Sequence, residues 1–409
     1  MIELSTKGSN GLLAKRYASE KRFRAYGAVA LCLTTMFLLF LLVDIVGKGW
    51  PAFFESHASL ELKVDSSKVD PNDIANSDFA AIIKESVRSQ FPDVQSRADK
   101  KTLSSFISQA AGDDLRNQIL SKPELIGQTV KTNLLLSAEA DLYFKGLIES
   151  DDKPLLDQFN QKLPVSQSWS WRFWSNGDSR EPELAGLAGA ISGSLFTVGI
   201  AILLGLPLGV CAAIYLEQFA RRNRWTDLIE VNINNLAAVP SIIFGLLGLA
   251  MFLNFFGLPR SAPLVGGLVL ALLVLPTIII ASRAALRAVP PSIKEAALGV
   301  GASKQQAVFH HVLPLALPGI LTGTILALAR AFGETAPLLM IGMVAFIVDV
   351  PRSATDAATV LPVQIYLWSD LPELAFKSKT AAAIIVLIAI LTAANAVAIY
   401  LRRKFERRW

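Results

Sequence analysis

Two cysteines and three histidines in 409 residues leave little material for redox or metal chemistry. Cys32 and Cys211 both sit inside apolar runs, where a thiol serves as a small hydrophobe, and two cysteines make no disulfide scaffold. His57, His310 and His311 are too few for a His/Cys metal cluster. No metal, no cofactor and no catalytic residue is therefore expected. A phosphate-cradling Gly-x-x-x-x-Gly-Lys-Ser/Thr is missing too: Lys101-Thr102, Lys131-Thr132 and Lys379-Thr380 all lack the preceding glycines, so the chain is not expected to bind ATP. Charge is scarce as well, at 18% of residues against about a quarter in soluble domains. What fills the gap is apolar, 52% of the chain, which excludes disorder and points to a membrane.

A helix needs about 20 apolar residues to cross a hydrocarbon core of roughly 30 Å. Six windows qualify, near 25–46, 187–216, 233–256, 263–282, 315–347 and 380–401, and predict an all-α membrane protein with six transmembrane helices. The first follows a basic N-terminus. Its apolar stretch is too long for a signal peptide and no small-residue cleavage site follows, so it reads as a retained anchor. Lys15, Arg16, Lys21, Arg22 and Arg24 place residues 1–24 inside as a cytoplasmic tail ahead of the helix 25–46. Counting spans then puts Arg221, Arg222, Arg224, Arg283, Arg287, Lys294 and Lys304 inside, with Arg402, Arg403, Lys404, Arg407 and Arg408 of the tail 402–409. Both termini are expected in the cytoplasm. Segment 47–184 falls outside with 16 Lys+Arg against 21 Asp+Glu, so the basic surplus belongs to membrane topology and no nucleic acid is implied.

Segment 47–184 is an insertion of alternating polar and apolar helical stretches, such as 78–91 and 101–120, and reads as a small, mainly helical extracytoplasmic domain. Its only histidine is His57 and it holds no catalytic constellation. Near its end, Trp169-Ser-Trp171-Arg-Phe173-Trp174 is either a ligand platform or an aromatic belt at the membrane surface. Its position just before a span favours the belt.

Within the membrane segment 187–401, the inside loop 283–314 reads as two short helices with a kink. Ser292 with Glu295 and Ser303 with Gln306 have capping-box spacing, Gly299 and Gly301 give a permissive backbone, and Pro314 should stop simple continuation into the next span. Glu295-Ala296-Ala297, three residues, Gly301, then twelve residues to Leu313-Pro314 resembles the EAA loop of ABC importer permeases, departing from it at His311. Further motifs are similar to those of the phosphate permeases within that family: Gly205-Leu-Pro207-Leu-Gly209, Ala213-Ile-Tyr215-Leu-Glu217, Val239-Pro240-Ser241-Ile-Ile-Phe244-Gly245, Leu275-Pro276-Thr277 and Gly333-Glu334-Thr335-Ala336-Pro337-Leu338. The large insertion departs from the compact form and resembles an N-terminally extended variety. The resemblance implies a coupling helix, with Glu295, Ala296, Ala297 and Gly301 meeting an ATPase subunit. It further implies a homologous permease as heterodimer partner, two ATP-binding subunits and an extracytoplasmic phosphate-binding protein, all at a bacterial inner membrane.

Arg330 lies near the middle of the fifth window, with Glu334 one turn on and on the same helix face. Charges at that depth cost on the order of 2.5–3.5 kcal/mol each, so they face a cavity, pair, or both. Guanidinium offers a planar fork of donors to an oxyanion. Phosphate keeps a proton near neutral pH and can donate a hydrogen bond through it to a carboxylate, whereas sulfate has none to give. Arg330, Glu334 and the Thr335 hydroxyl are thus expected to line the substrate pathway. A structural ion pair is the plainer reading. Pro337 is expected to kink this helix, and Gly205, Gly209, Gly245 and Gly248 to form close-packing faces. The function expected is a permease subunit translocating inorganic phosphate. Transport of molybdate or sulfate, or phosphate sensing through 47–184, are the alternatives.

Overall fold

The computed structural model describes residues 7–64, 69, 74 and 77–405. Residues 1–6 of the expected N-terminal tail and 406–409 of the C-terminal one, Arg407 and Arg408 included, lie outside the described residues.

Helix α1, Lys7–Gly49, runs for 43 residues and exposes apolar side chains over its whole circumference, as a lipid-facing span must. A short turn at Trp50–Phe53 leads into the domain that separates the first span from the second. There α2 Phe79–Gln90, α3 Arg97–Ser105, α4 Ala110–Ser121, α5 Ala138–Phe144, α6 Lys153–Lys162 and α7 Trp171–Ser175 pack on a three-stranded antiparallel sheet in the order β2-β1-β3. The strands are β1 Phe54–Lys63, β2 Thr129–Leu135 and β3 Val165–Trp169, with His57 opposite Leu135 and Phe54 opposite Trp169. The sheet was not part of the sequence expectation. Along β1 the buried residues Ser56, Ala58, Leu60 and Leu62 alternate with more exposed ones, so one face of the strand joins the core that Phe91, Leu115 and Phe159 fill. The expected helix 101–120 is two helices, α3 and α4.

The domain stands on an aromatic base. Phe53 stacks on Trp169 and Trp174 at 5.8 and 5.7 Å and meets Phe173 edge-on at 5.3 Å. Phe53, Phe173 and Trp174 join Leu361, Trp368 and Phe376 of the membrane part in one cluster, so this end of the tryptophan motif acts as a joint between domain and span. Beside it, Arg172 bridges Glu55 at 3.0 Å and Asp114 at 2.5 Å. Burial alone would push the Glu55 carboxyl up. Its hydrogen bond with His57, the Arg172 charge and the Ser170 hydroxyl outweigh that and hold it below its ordinary 4.5. A carboxyl lowered by folding stabilises the fold above that value and loses the contribution as pH falls through the lowered one. Glu55→Gln should therefore flatten the acid limb of domain unfolding, followed by tryptophan fluorescence against pH.

The membrane part continues with α8 Ala188–Ile214, α9 Arg224–Ala238, α10 Ser241–Gly248, α11 Pro263–Arg287, α12 Pro291–Gly299, α13 Lys304–Gln306, α14 Leu313–Gly333, α15 Ala336–Met340, α16 Leu361–Ser369 and α17 Leu374–Phe405. Among the described residues five helices are long and apolar enough to cross a membrane, and a sixth crossing exists if a bent pair counts as one span. That pair is the expected third window. It is not continuous: α9 and the helix Ser241–Phe255 meet at 100°. Pro240 has no N–H and drives Val239 into extended backbone (φ −65°, ψ 132°), which ends α9. The expected fifth window is corrected as well. Its helix stops at Gly333, and beyond Met340 the chain forms an irregular loop up to α16. Pro207 and Pro276, by contrast, sit inside continuous helices.

Candidate functional site

Four of the sequence motifs meet in two pairs. Gly205 and Gly209 of α8 lie against Val274 and Ile278 of α11, where a Cβ would come within 3.2 and 2.6 Å of those side chains. Gly245 of α10 lies against α15, where a Cβ would stand 2.7 Å from Pro337 Cα. The glycines are packing faces: no larger residue fits without moving a helix.

Arg330 is in the last turn of α14 rather than at the middle of a helix, and Glu334 follows the helix end in extended backbone (φ −79°, ψ 121°). Its depth is set by the neighbouring helix. Gly319 and Gly323 of α14 face Ala285 and Ala281 of α11, an antiparallel pairing. Seven residues further along α14, and seven back along α11, that register brings Arg330 level with Val274, midway along Pro263–Arg287. The charge is therefore central to the bundle because the helix breaks there, and Pro337 falls after the break, inside the first turn of α15. Arg330 Nε lies 3.4 Å from Glu334 Oε1, with the two side chains 35% and 18% exposed. That is a long, loosely held pair, and it leaves the terminal guanidinium nitrogens available. Thr335 also sits in the break, and its hydroxyl makes no hydrogen bond among the described residues.

Loop 283–314 has the expected helices but not both expected caps. Ser303 Oγ accepts from Gln306 N–H at 3.2 Å and Gln306 Oε1 accepts from Ser303 N–H at 2.8 Å, a complete capping box. Ser292 and Glu295 form none, since α12 already begins at Pro291 and Ser292 lies within it. Gly301 has φ +91°, left-handed backbone open to glycine; Gly299 needs no such freedom. Pro314 does not stop the helix either. A π-helical stretch, Ala307–Val312, carries the chain from α13 straight into α14. Lys294 Nζ donates to Gln218 Oε1 at 2.8 Å and Lys304 lies over the Phe219 ring, which fixes the loop to the end of α8. Ala297 is buried on that side; Glu295, Ala296, Leu298 and Val300 face out with Phe309.

Arg283 and Arg287 are two of the basic residues that the charge count places inside. The structure pairs both of them. Arg283 donates to Glu230 at 2.9 Å and lies 3.4 Å from Glu217, and Arg287 lies 2.8 Å from Glu217. This cluster ties the end of α11 to α9 and to the stretch that follows α8. Sequence reasoning missed the partners, and it also missed Thr197 and Gln364, whose Oγ1 and Nε2 are buried in the bundle without a hydrogen-bond partner among the described residues.

With this geometry in place, the chain can be set beside known proteins. Residues 205–409 match the family described as binding-protein-dependent transport system inner membrane component. The chain belongs to that family. As a permease of this kind it is a multi-pass inner-membrane transport component and not an enzyme. Residues 10–153 match a domain of unknown function, DUF3333, which overlaps the first span and most of the domain that follows it. The permease is 32% identical over 244 residues to the phosphate transport system permease protein PstA 1 of Mycobacterium tuberculosis, covering 60% of this chain and 79% of that one. It is 34% identical over 190 residues to PstA of Haemophilus influenzae, covering 46% and 66%. A probable ABC transporter permease of Bacillus subtilis, YqgI, is 36% identical over 171 residues, covering 42% and 58%. A chain of the inward-facing MetNI methionine ABC transporter superposes with a TM-score of 0.44 at 18% identity, covering 54% of this chain and 96% of that one.

Proposed function

We propose that this permease translocates inorganic phosphate inward across the bacterial inner membrane, driven by separate ATPase subunits. The observation that carries this is the loosely held Arg330–Glu334 pair at a helix break level with the centre of α11. A guanidinium with free donors suits a tetrahedral oxyanion, and a carboxylate beside it accepts a hydrogen bond from an anion that still bears a proton. The similarity to PstA proteins of several bacteria supports the choice of phosphate.

In this reading Glu295, Ala296, Ala297 and Gly301 form the coupling element. Its outward apolar residues Leu298, Val300 and Phe309 enter a groove on an ATPase subunit, while Ala297 holds the helix to its own chain. A homologous permease completes the pathway, two ATP-binding subunits work from inside, and a phosphate-binding protein delivers the anion from outside. Both termini are cytoplasmic, and segment 47–184 lies outside.

Labelled-phosphate uptake by cells lacking the protein, with and without its return, tests the reading. Restored uptake that excess sulfate and molybdate fail to suppress is expected. Glu334→Gln should make the same uptake sensitive to sulfate, since the carboxylate that repels a fully deprotonated dianion is gone. Uptake that the protein does not restore would sink the phosphate assignment, and unchanged sulfate sensitivity in the variant would remove Glu334 from selectivity.

A further inference from the structure

The extracytoplasmic domain carries a cleft of about 760 Å³ that the transport reading does not use. Its walls are α2, α3, the start of α4, and the stretch 181–183 that returns the chain to α8. Lys84 and Arg88 line it from α2 and Lys101 from α3. None of the three has an acidic partner among the described residues, although the segment as a whole is acidic by 21 to 16. Elsewhere in the domain Lys145, Lys162, Arg116 and Arg172 each hold a carboxylate. Lys84, Arg88 and Lys101 thus bring three cations without a carboxylate partner to one cleft.

Arg88 is oriented as well as unpaired. Its Nε donates to the buried Ser104 Oγ at 3.3 Å, and that hydroxyl is committed in turn to Lys100 O at 2.9 Å. The terminal nitrogens of Arg88 have no protein acceptor among the described residues, which leaves the bidentate edge of the fork for a ligand. Glu181 lines the same cleft, and its Oε2 is buried without a hydrogen-bond partner among the described residues. Burial, with Glu183 beside it, pushes the Glu181 carboxyl above its ordinary value. Glu183 is the second acid on this rim, while Asp113 is already held by Arg116.

We infer that this cleft binds a protonated phosphate group, free or on a small phosphomonoester, with Arg88, Lys84 and Lys101 on its anionic oxygens and Glu181 on its P–OH. Two carboxylates on the rim disfavour a fully deprotonated oxyanion such as sulfate, and the cleft volume leaves room for an organic substituent. The site is separate from Arg330, and binding here does not depend on whether the permease carries phosphate. It gives the domain of unknown function a ligand class.

Lysine acetylation of the full chain in lipid nanodiscs, read by mass spectrometry, tests this locally. Lys122 and Lys153, exposed and away from the cleft, serve as internal references. Inorganic phosphate or glycerol phosphate should slow acetylation of Lys84 and Lys101 relative to the references, and sulfate should not. Protection by inorganic phosphate marks the free anion as ligand; protection by glycerol phosphate alone marks the ester. Arg88→Gln should raise the half-protecting concentration about 10–100-fold, the worth of a charge-assisted hydrogen bond, with reference labelling unchanged. Glu181→Gln should admit sulfate. No protection by either phosphate compound, equal protection by sulfate in the unaltered chain, or an Arg88→Gln chain that protects like the parent would each overturn the proposal. Loss of the transport reading would show in uptake and leave this footprint untouched.

Discussion

Arg330→Gln is expected to lower labelled-phosphate uptake about 10–100-fold while the chain still reaches the membrane in normal amount. The figure is the 1.5–3 kcal/mol, roughly, that a hydrogen bond to a charged group is worth when it is made during passage and not at rest. The resting structure predicts the second half of the result. At 3.4 Å and one-third exposed, Arg330 is not a strong structural brace, so its removal should cost little stability. Arg330→Lys keeps the charge and loses the planar fork, and should recover part of the rate. Uptake that survives Arg330→Gln would return the pair to a purely structural role.

Gly323→Leu should be the most damaging change to the bundle itself. A Cβ there would sit 2.2 Å from the Ala281 Cβ, which is anchored to backbone and cannot swing aside. Overpacking of this kind costs about 1–3 kcal/mol and separates the helices that carry it. Because the α11–α14 pairing also fixes the depth of Arg330, uptake should fall together with the melting temperature in detergent. Gly199→Leu on α8 is the matched control, for nothing lies within 4 Å of the position its Cβ would take. Equal melting temperatures for the two variants would mean that this contact does not hold the bundle.

Hydropathy alone located the membrane segments, since burial of backbone in lipid forces long apolar helices whatever the tertiary contacts. It could not see where a helix turns. Val239-Pro240 was visible as a motif, yet the apolar run continues through it, and only the extended backbone before proline reveals the 100° bend. The centre of the fifth window fell on Arg330 although the window itself overran the helix by the length of an outer loop. The sheet was legible in Ala58-Ser-Leu60-Glu-Leu62-Lys, whose period of two was passed over in favour of the helical stretches around it. The Arg283 cluster was not legible at all. Its partner Glu217 is 66 residues away, and nothing local couples them. Of the residues expected to form sites, Arg330, Glu334 and Thr335 come together at one break, and Glu295, Ala296, Ala297 and Gly301 share one short helix and the turn after it.

The glycine of that turn, Gly301, selects by handedness and not by size. Within this chain nothing approaches within 4 Å of the position its Cβ would take, so there is ample room for a side chain. What the backbone demands at φ +91° is the mirror image of an ordinary L-residue. A D-alanine introduced there by chemical ligation would suit the turn, and L-alanine would strain it with the same number of atoms. The angle at which the loop presents its outward face is therefore written in stereochemistry at a single α-carbon.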